Sequence, residues 1–154
     1  MTGQSVGGPL VREVPVLSGD DTVRDAVRHL LDAQVTALPV ADDQGRFAGI
    51  FGEREFVTAI FPGYLGELKG AHFIRRALDD DLNRRRACLD EPVARHTFTE
   101  HVDVGADFSD AELAEIYLHH RVSVIPVLDD DRRVMGIITR RDFFRALAER
   151  VLAD

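Results

Sequence analysis

Apolar residues follow two alternating rhythms along this chain. Val23, Ala26, Val27, Leu30 and Leu31 stand at i, i+3, i+4, i+7 and i+8, one stripe of a helix, with Thr22 placed as its N-cap. An apolar run over 38–41, turn-forming residues over 42–45 and a second apolar run over 47–51 then read as a β-hairpin. A helical pattern resumes over 53–61, and Pro62-Gly63 stops it. Further on, Ser109-Asp110-Ala111-Glu112 has the form of a capping box, glutamate three residues after serine. Leu113, Ile116, Tyr117 and His120 continue that helix's apolar face imperfectly. Strands over 123–128 and 134–138 flank an acidic turn, and a last helix spans 140–152. A short leading strand is expected ahead of each set, over 11–16 and over 102–104.

The two sets are copies. Shifted by 87 positions, residues 35–60 align without a gap on 122–147, and 11 of the 26 positions are identical. Pro39/Pro126, Gly49/Gly136, Ile50/Ile137, Arg54/Arg141 and Phe56/Phe143 are among the identities, and most other pairs are apolar for apolar. Each copy reads β-α-β-β-α. One such unit is too small to cover both faces of its own sheet. The expected fold is therefore α/β, two units packed sheet to sheet with pseudo-two-fold symmetry and with clefts where the sheets meet. The boundaries that follow are a flexible tail over 1–9, repeat 1 over 10–61, an inter-repeat segment over 62–92 and repeat 2 over 93–154. Phe73, Ile74, Ala77, Leu78 and Leu82 give that inter-repeat segment helical spacing, so it is expected to be folded, as extra packing or as a lid carrying Arg75, Arg76 and Arg84 to Arg86.

Leu38-Pro39-Val40 with Asp42 and then Gly49-Ile50 in copy one, and Ile125-Pro126-Val127 with Asp129 and then Gly136-Ile137-Ile138-Thr139-Arg140-Arg141-Asp142 in copy two, carry a family resemblance. In order, spacing and duplication the chain resembles a tandem pair of cystathionine-β-synthase-type (CBS) repeats, also called a Bateman module. The resemblance implies a regulatory module whose ligands are adenosine compounds: AMP, ADP or ATP, with S-adenosylmethionine or NAD-type compounds as rarer alternatives. It implies that Thr139 and the backbone at the start of the following helix take a phosphate, an anion such a helix end suits. It further implies that Asp142 accepts the ribose hydroxyls, that Arg140 or Arg141 neutralises phosphate charge, and that adenine lies near Val122, Ser123, Val124 and Pro126. Helix capping alone would also account for Thr139 and Asp142, and both readings stand on the sequence. Copy one departs from the signature: Gly52 replaces the hydroxyl residue and Glu55 the aspartate. The cleft completed by Gly52, Glu55, Thr36 and Ala37 is therefore expected to be degenerate and to bind weakly or not at all. Over 93–97 the chain departs again, with Thr97-Phe98 where the family pattern has Met-Thr.

Composition narrows the function. The net charge is −8, from 27 acidic and 19 basic residues, which argues against a nucleic-acid-binding face. Arg84-Arg85-Arg86 and Arg132-Arg133 have Asp79 to Asp81 and Asp129 to Asp131 nearby. No apolar run approaches the roughly 18 residues that span a bilayer, and no leader is expected at the N-terminus. The lone Cys88 allows no intrachain disulfide and suits a reducing cytoplasm. His29, His72, His96, His101, His119 and His120 show no metal-ligand spacing. Nucleophile-elbow, phosphate-loop and dinucleotide-loop motifs are absent, so no enzymatic activity and no required cofactor are expected. Apolar helix faces at Phe56/Val57/Ile60 and Phe143/Phe144/Leu147 exceed what one internal core uses, which points to a homodimer. Two readings remain: an adenine-nucleotide sensor acting on a regulated protein, and an interaction module with empty clefts.

Overall fold

The computed structural model describes residues 6–61 and 86–153. Repeat 1 runs β1 (Leu17–Ser18), α1 (Val23–Ala33), β2 (Ala37–Ala41), β3 (Phe47–Gly52) and α2 (Glu53–Ile60). Repeat 2 runs β4 (Val104–Gly105), α3 (Asp110–His119), β5 (Val124–Leu128), β6 (Val134–Thr139) and α4 (Arg140–Leu152). The inter-repeat helical spacing from Phe73 to Leu82, with Arg75, Arg76, Arg84 and Arg85, lies outside the described residues. Residues 86–90 and 93–96 form single 3-10 turns.

Each repeat builds a three-stranded sheet, in the orders β1-β2-β3 and β4-β5-β6. The 87-residue repeat holds at the level of register. Leu17 faces Val40 as Val104 faces Val127, and Ala37 faces Gly52 as Val124 faces Thr139. Even the irregularity between Val40 and Ala41 recurs between Val127 and Leu128. The helix starts follow the capping residues read from sequence: Thr22 accepts from the Asp25 N–H at 3.2 Å, Ser109 from Glu112 at 3.1 Å and Thr139 from Asp142 at 3.1 Å.

Strand alternation assigns the two faces of β5. Val124 and Leu128 pack into one apolar cluster with Leu38, Ile50 and Phe51 of repeat 1, whereas Ile125 and Val127 pack with Leu113 and Phe143 beneath the helices of repeat 2. The β5 strand is buried along its whole length, as a central strand covered on both faces should be. At the junction Thr36 Oγ1 lies 2.6 Å from Ser123 Oγ. These two residues are repeat equivalents, so their contact marks the pseudo-two-fold axis.

The leading segments differ from the expectation. Residues 11–16 do not form a strand of their own sheet; Pro15 interrupts the run, and β1 begins at Leu17. Instead Arg12 crosses to the other repeat and exchanges both backbone hydrogen bonds with Ile137, at 2.8 and 2.9 Å. Phe98 makes the same exchange with Ile50, at 2.9 and 2.9 Å. The segment ahead of each repeat is thus sewn onto the third strand of the other. The second leading strand is Val104–Gly105 rather than 102–104. The end of the N-terminal tail is also anchored: the Val6 and Gly7 N–H groups donate to the Asp110 carboxylate at 2.7 and 2.8 Å, and Gly7 sits against Leu113 and Phe108. Leu31, the last member of the first apolar stripe, is exposed.

Both crossings need a residue without a side chain on the strand they cover. A Cβ at Gly49 would run into the Phe98 carbonyl, and one at Gly136 into the Arg12 carbonyl. Each obstacle is backbone, so the strain cannot be relieved by a rotamer change. Gly49→Ala and Gly136→Ala are each expected to destabilise the protein by about 1–3 kcal/mol, the usual cost of overpacking. Urea unfolding checks this, because a midpoint unchanged by both substitutions would mean that the crossings are not fixed.

Candidate functional site

Among the described residues a hollow with a volume of about 800 Å³ lies at the repeat junction. Thr36 and Ala37 at the start of β2 and Glu53, Arg54, Glu55 and Thr58 on α2 form one side. Arg121, Val122, Ser123 and Arg140 contribute from repeat 2, and the crossing segment closes the hollow with Arg95, His96, Thr97, Phe98 and His101. The local reason is the repeat geometry. The N-terminal end of each final helix is tied to the start of the second strand, Glu53 N–H to the Thr36 carbonyl and Arg140 N–H to the Ser123 carbonyl, both at 2.9 Å. Helix starts and strand starts from both repeats therefore meet around the Thr36–Ser123 contact.

Of the twelve residues named from sequence, Thr36, Ala37, Glu55, Val122, Ser123 and Arg140 come together in this cavity. The other six lie elsewhere. Val124 and Pro126 are buried within β5, and Gly52 is packed against Thr36 and Ala37 behind the cavity wall. Arg141 borders a shallow surface groove along α4. Thr139 caps α4, and the Asp142 carboxylate receives Arg12 Nη2 at 2.6 Å. The sequence gives the fuller signature to the Thr139–Asp142 side; the structure opens its cavity on the Glu55 side. The crossing segment brings Arg12 onto Asp142, while Phe98 at the equivalent crossing has no charge to offer Glu55.

The same asymmetry appears in the helix starts. In α4 the Thr139 hydroxyl already takes the Asp142 N–H, whereas Gly52 gives α2 no side-chain cap. Glu55 turns back on the N-terminal backbone of α2, yet its half-burial dominates and raises its pKa. His101 is buried, which lowers its pKa; its Nδ1 donates to the Val102 carbonyl at 2.7 Å, and its ring stands edge-on to Phe98. The Nε2 of His96 is buried with no hydrogen-bond partner, and Glu91 stays 3.6 Å away. Sequence reasoning pointed to 93–97 only through its departure from the family pattern. It missed His101, Arg121 and Thr58, which carry no motif and become neighbours only by folding. Among the described residues no group of three or more His, Cys, Asp or Glu side chains is placed to hold a metal ion, and no helix is long and apolar enough to cross a membrane.

Comparison with known proteins gives this geometry a lineage. Inosine-5'-monophosphate dehydrogenase of Methanocaldococcus jannaschii is 24% identical over 136 residues, which are 88% of this chain and 22% of that enzyme. The chain spans about a fifth of the length of the first two curated relatives it matches, at 22% and 19%. An uncharacterized protein of the same organism is 24% identical over 152 residues, covering 90% of this chain and 88% of its own. Among solved structures, the CBS-pair protein CBSX2 from Arabidopsis thaliana superposes with a TM-score of 0.71 at 21% identity, over 99% of this chain and 100% of that one. A CBSX2 structure in complex with AMP gives 0.69 at 21% identity, over 97% and 99%. The CBS domain model matches residues 10–62 and again 100–149, one span in each sheet-and-helix unit, and the chain belongs to the CBS-domain family.

Proposed function

We propose that this protein is a regulatory module, not an enzyme, that binds an adenine nucleotide in the cavity at the repeat junction and passes the binding event to a partner protein. The observation that carries the reading is the cavity itself: about 800 Å³, walled by both repeats, apolar at Val122 and Ile50 and polar at its rim. That size falls within the ~300–1,000 Å³ usual for small-molecule sites. The AMP complex of a protein with the same fold supports the choice of ligand. The Thr139–Asp142 side is a second, weaker candidate, because a ribose there must first displace Arg12 from Asp142. The same pairing favours the alternative reading, an interaction module with empty clefts, for that side only.

Self-association belongs to the same proposal. Phe144, Leu147, Val151 and Leu152 form an apolar stripe along the outer face of α4, with relative exposures of 68%, 36%, 80% and 80%. Such a stripe is covered in a homodimer. Light scattering at tens of micromolar is expected to give twice the chain mass; a monomer there would remove the dimer from the proposal.

Ligand binding is tested by thermal shift. AMP at ~100 times its dissociation constant should stabilise the fold by about 2.7 kcal/mol, a rise of several degrees at ~2–4 °C per kcal/mol. Thr58→Trp, which fills the cavity from the exposed face of α2, should abolish the rise, and Asp142→Ala should preserve it. The opposite pattern would move the ligand to the Thr139 side. No rise with any adenosine compound would leave the empty-cleft reading in place.

Glu55 gives a pH test. Its folded pKa is raised, so the fold holds the protonated acid better than the charged one. That advantage is fully present below the ordinary value of 4.5 and is lost as the pH rises through the raised value. Glu55→Gln should therefore melt higher than the parent at pH 7, and the gap should close near pH 4. A gap of constant size across that range would show that burial of the charge is not the cause.

A further inference from the structure

We propose that His96 is a proton-operated latch on the cavity wall: when its ring takes up a proton, Nε2 donates to the Glu91 carboxylate and fastens the segment that carries Phe98 onto β3. The latch goes beyond the reading above and holds whatever the cavity binds. Nε2 of His96 is buried and has no hydrogen-bond partner. Glu91 Oε2 lies 3.6 Å from it, just past hydrogen-bond reach. A neutral imidazole has one proton for two nitrogens. The protonated ring always has a donor at Nε2, and it carries a positive charge opposite the carboxylate. A small closure then makes a charge-assisted hydrogen bond, which is shorter and stronger than a neutral one.

The two ends of the latch are held differently. Glu91 stands on a fixed base: its carbonyl accepts the Val23 N–H at 3.0 Å, and the Val93 and Ala94 N–H groups donate to the Asp21 and Gly19 carbonyls at 2.7 and 3.1 Å. His96 ends the 3-10 turn over 93–96 and stands two residues before Phe98, which exchanges both backbone hydrogen bonds with Ile50. Arg95 Nη1 holds the same Glu91 oxygen at 3.0 Å, so the carboxylate is already oriented. That hydrogen bond also keeps the Glu91 pKa below its ordinary value, and the acid stays charged wherever a histidine titrates.

Other charged groups share this wall. Glu53, Arg54 and Glu55 come from α2, which packs on the 93–96 turn, and Arg121 and Arg140 come from repeat 2. An arginine keeps its charge throughout. Glu55 titrates above an ordinary glutamate because it is half-buried, and it does so with or without a ring at position 96. His101 is the competing histidine on the same segment. Burial lowers its pKa, and among its charged neighbours Asp103 opposes that shift while His120 adds to it. Protonating His101 puts a charge into the interior, so acid loosens the segment through His101 and tightens it through His96. The sign of the pH response separates the two.

Amide hydrogen exchange of the ligand-free full chain tests the latch. The Ile50 and Phe98 N–H groups, which make the crossing, are compared with the β5–β6 ladder after correction for the intrinsic pH dependence of exchange. As the pH falls from ~7.5 to ~5.5, a range in which a histidine gains its proton, their relative protection is expected to rise about tenfold, the effect of one hydrogen bond to a charged group. Glutamine takes up no proton here and offers no charge, so in His96→Gln and in Glu91→Gln the same quantity should change by less than about twofold. Melting curves show which variants fold, and either one alone decides. Relative protection that is flat in the parent, that falls on acidification, or that rises equally in a folded His96→Gln or Glu91→Gln protein would overturn the latch.

Discussion

Everything in this structure depends on two short backbone exchanges between the repeats. Arg12 is paired with Ile137 and Phe98 with Ile50, so the segment leading into each repeat completes the sheet of the other. Backbone hydrogen bonds of this kind add a modest net stability each, roughly 0.5–1.5 kcal/mol. Their larger effect is geometric. They fix how far the two sheets can slide, and they allow only glycine at positions 49 and 136, where a side chain would strike the crossing carbonyl. The apolar cluster that joins Leu38 and Phe51 to Val124, Leu128 and Ile137 lies at the junction that these exchanges hold in register.

The crossings also make the two clefts unequal. At repeat-equivalent places one crossing carries Arg12 and the other Phe98. Arg12 reaches the first-turn acid of the facing helix, Asp142, and closes that side with an ion pair at 2.6 Å. Phe98 lines the cavity together with a first-turn acid, Glu55, and stands edge-on to His101, with no charge to pair with that acid. On one side the first-turn acid is engaged by the chain itself, and on the other it lines the cavity.

The legible part of the sequence was the part set by local physics. Thr22, Ser109 and Thr139 announced three helix starts, and each caps the expected helix. The Pro-Val pairs and glycines of the duplicated hairpin gave the strands and, through the constant offset of 87, the pseudo-symmetry. Residues 11–16 resisted, because their apolar character suits a strand while their actual partner lies about 125 residues away, and no local pattern encodes a choice between sheets. The cavity was half legible. Thr36, Ala37, Val122 and Ser123 follow from the repeat, since equivalent residues must meet at a two-fold axis. Arg121, His101 and Thr58 do not, because nothing in their neighbours' periodicity says which hollow they will border. The expected clefts lay where the sheets meet, but their residues were divided repeat by repeat, whereas Val122, Ser123 and Arg140 border the same cavity as Thr36, Ala37 and Glu55.

That shared wall bears on how such a module could signal. A ligand confined to one repeat would stabilise that repeat and leave its partner's orientation untouched. A ligand touching Thr36 and Ala37 on one side and Ser123 and Arg140 on the other would be energetically coupled to the angle between the repeats, since only one angle satisfies both sets of contacts. A ligand shifts a conformational equilibrium only by its difference in affinity for the two states. A bridging ligand has such a difference built in. The apolar stripe of α4 begins at Phe144, one helical turn after Arg140 of the cavity wall, and ends at the exposed Leu152. A change of inter-repeat angle would therefore be delivered along a rigid helix of 13 residues to the surface available for a second chain. No bond in this path needs to break; the helix carries the rotation because its first residue is fastened to Ser123, at the axis about which the repeats would turn.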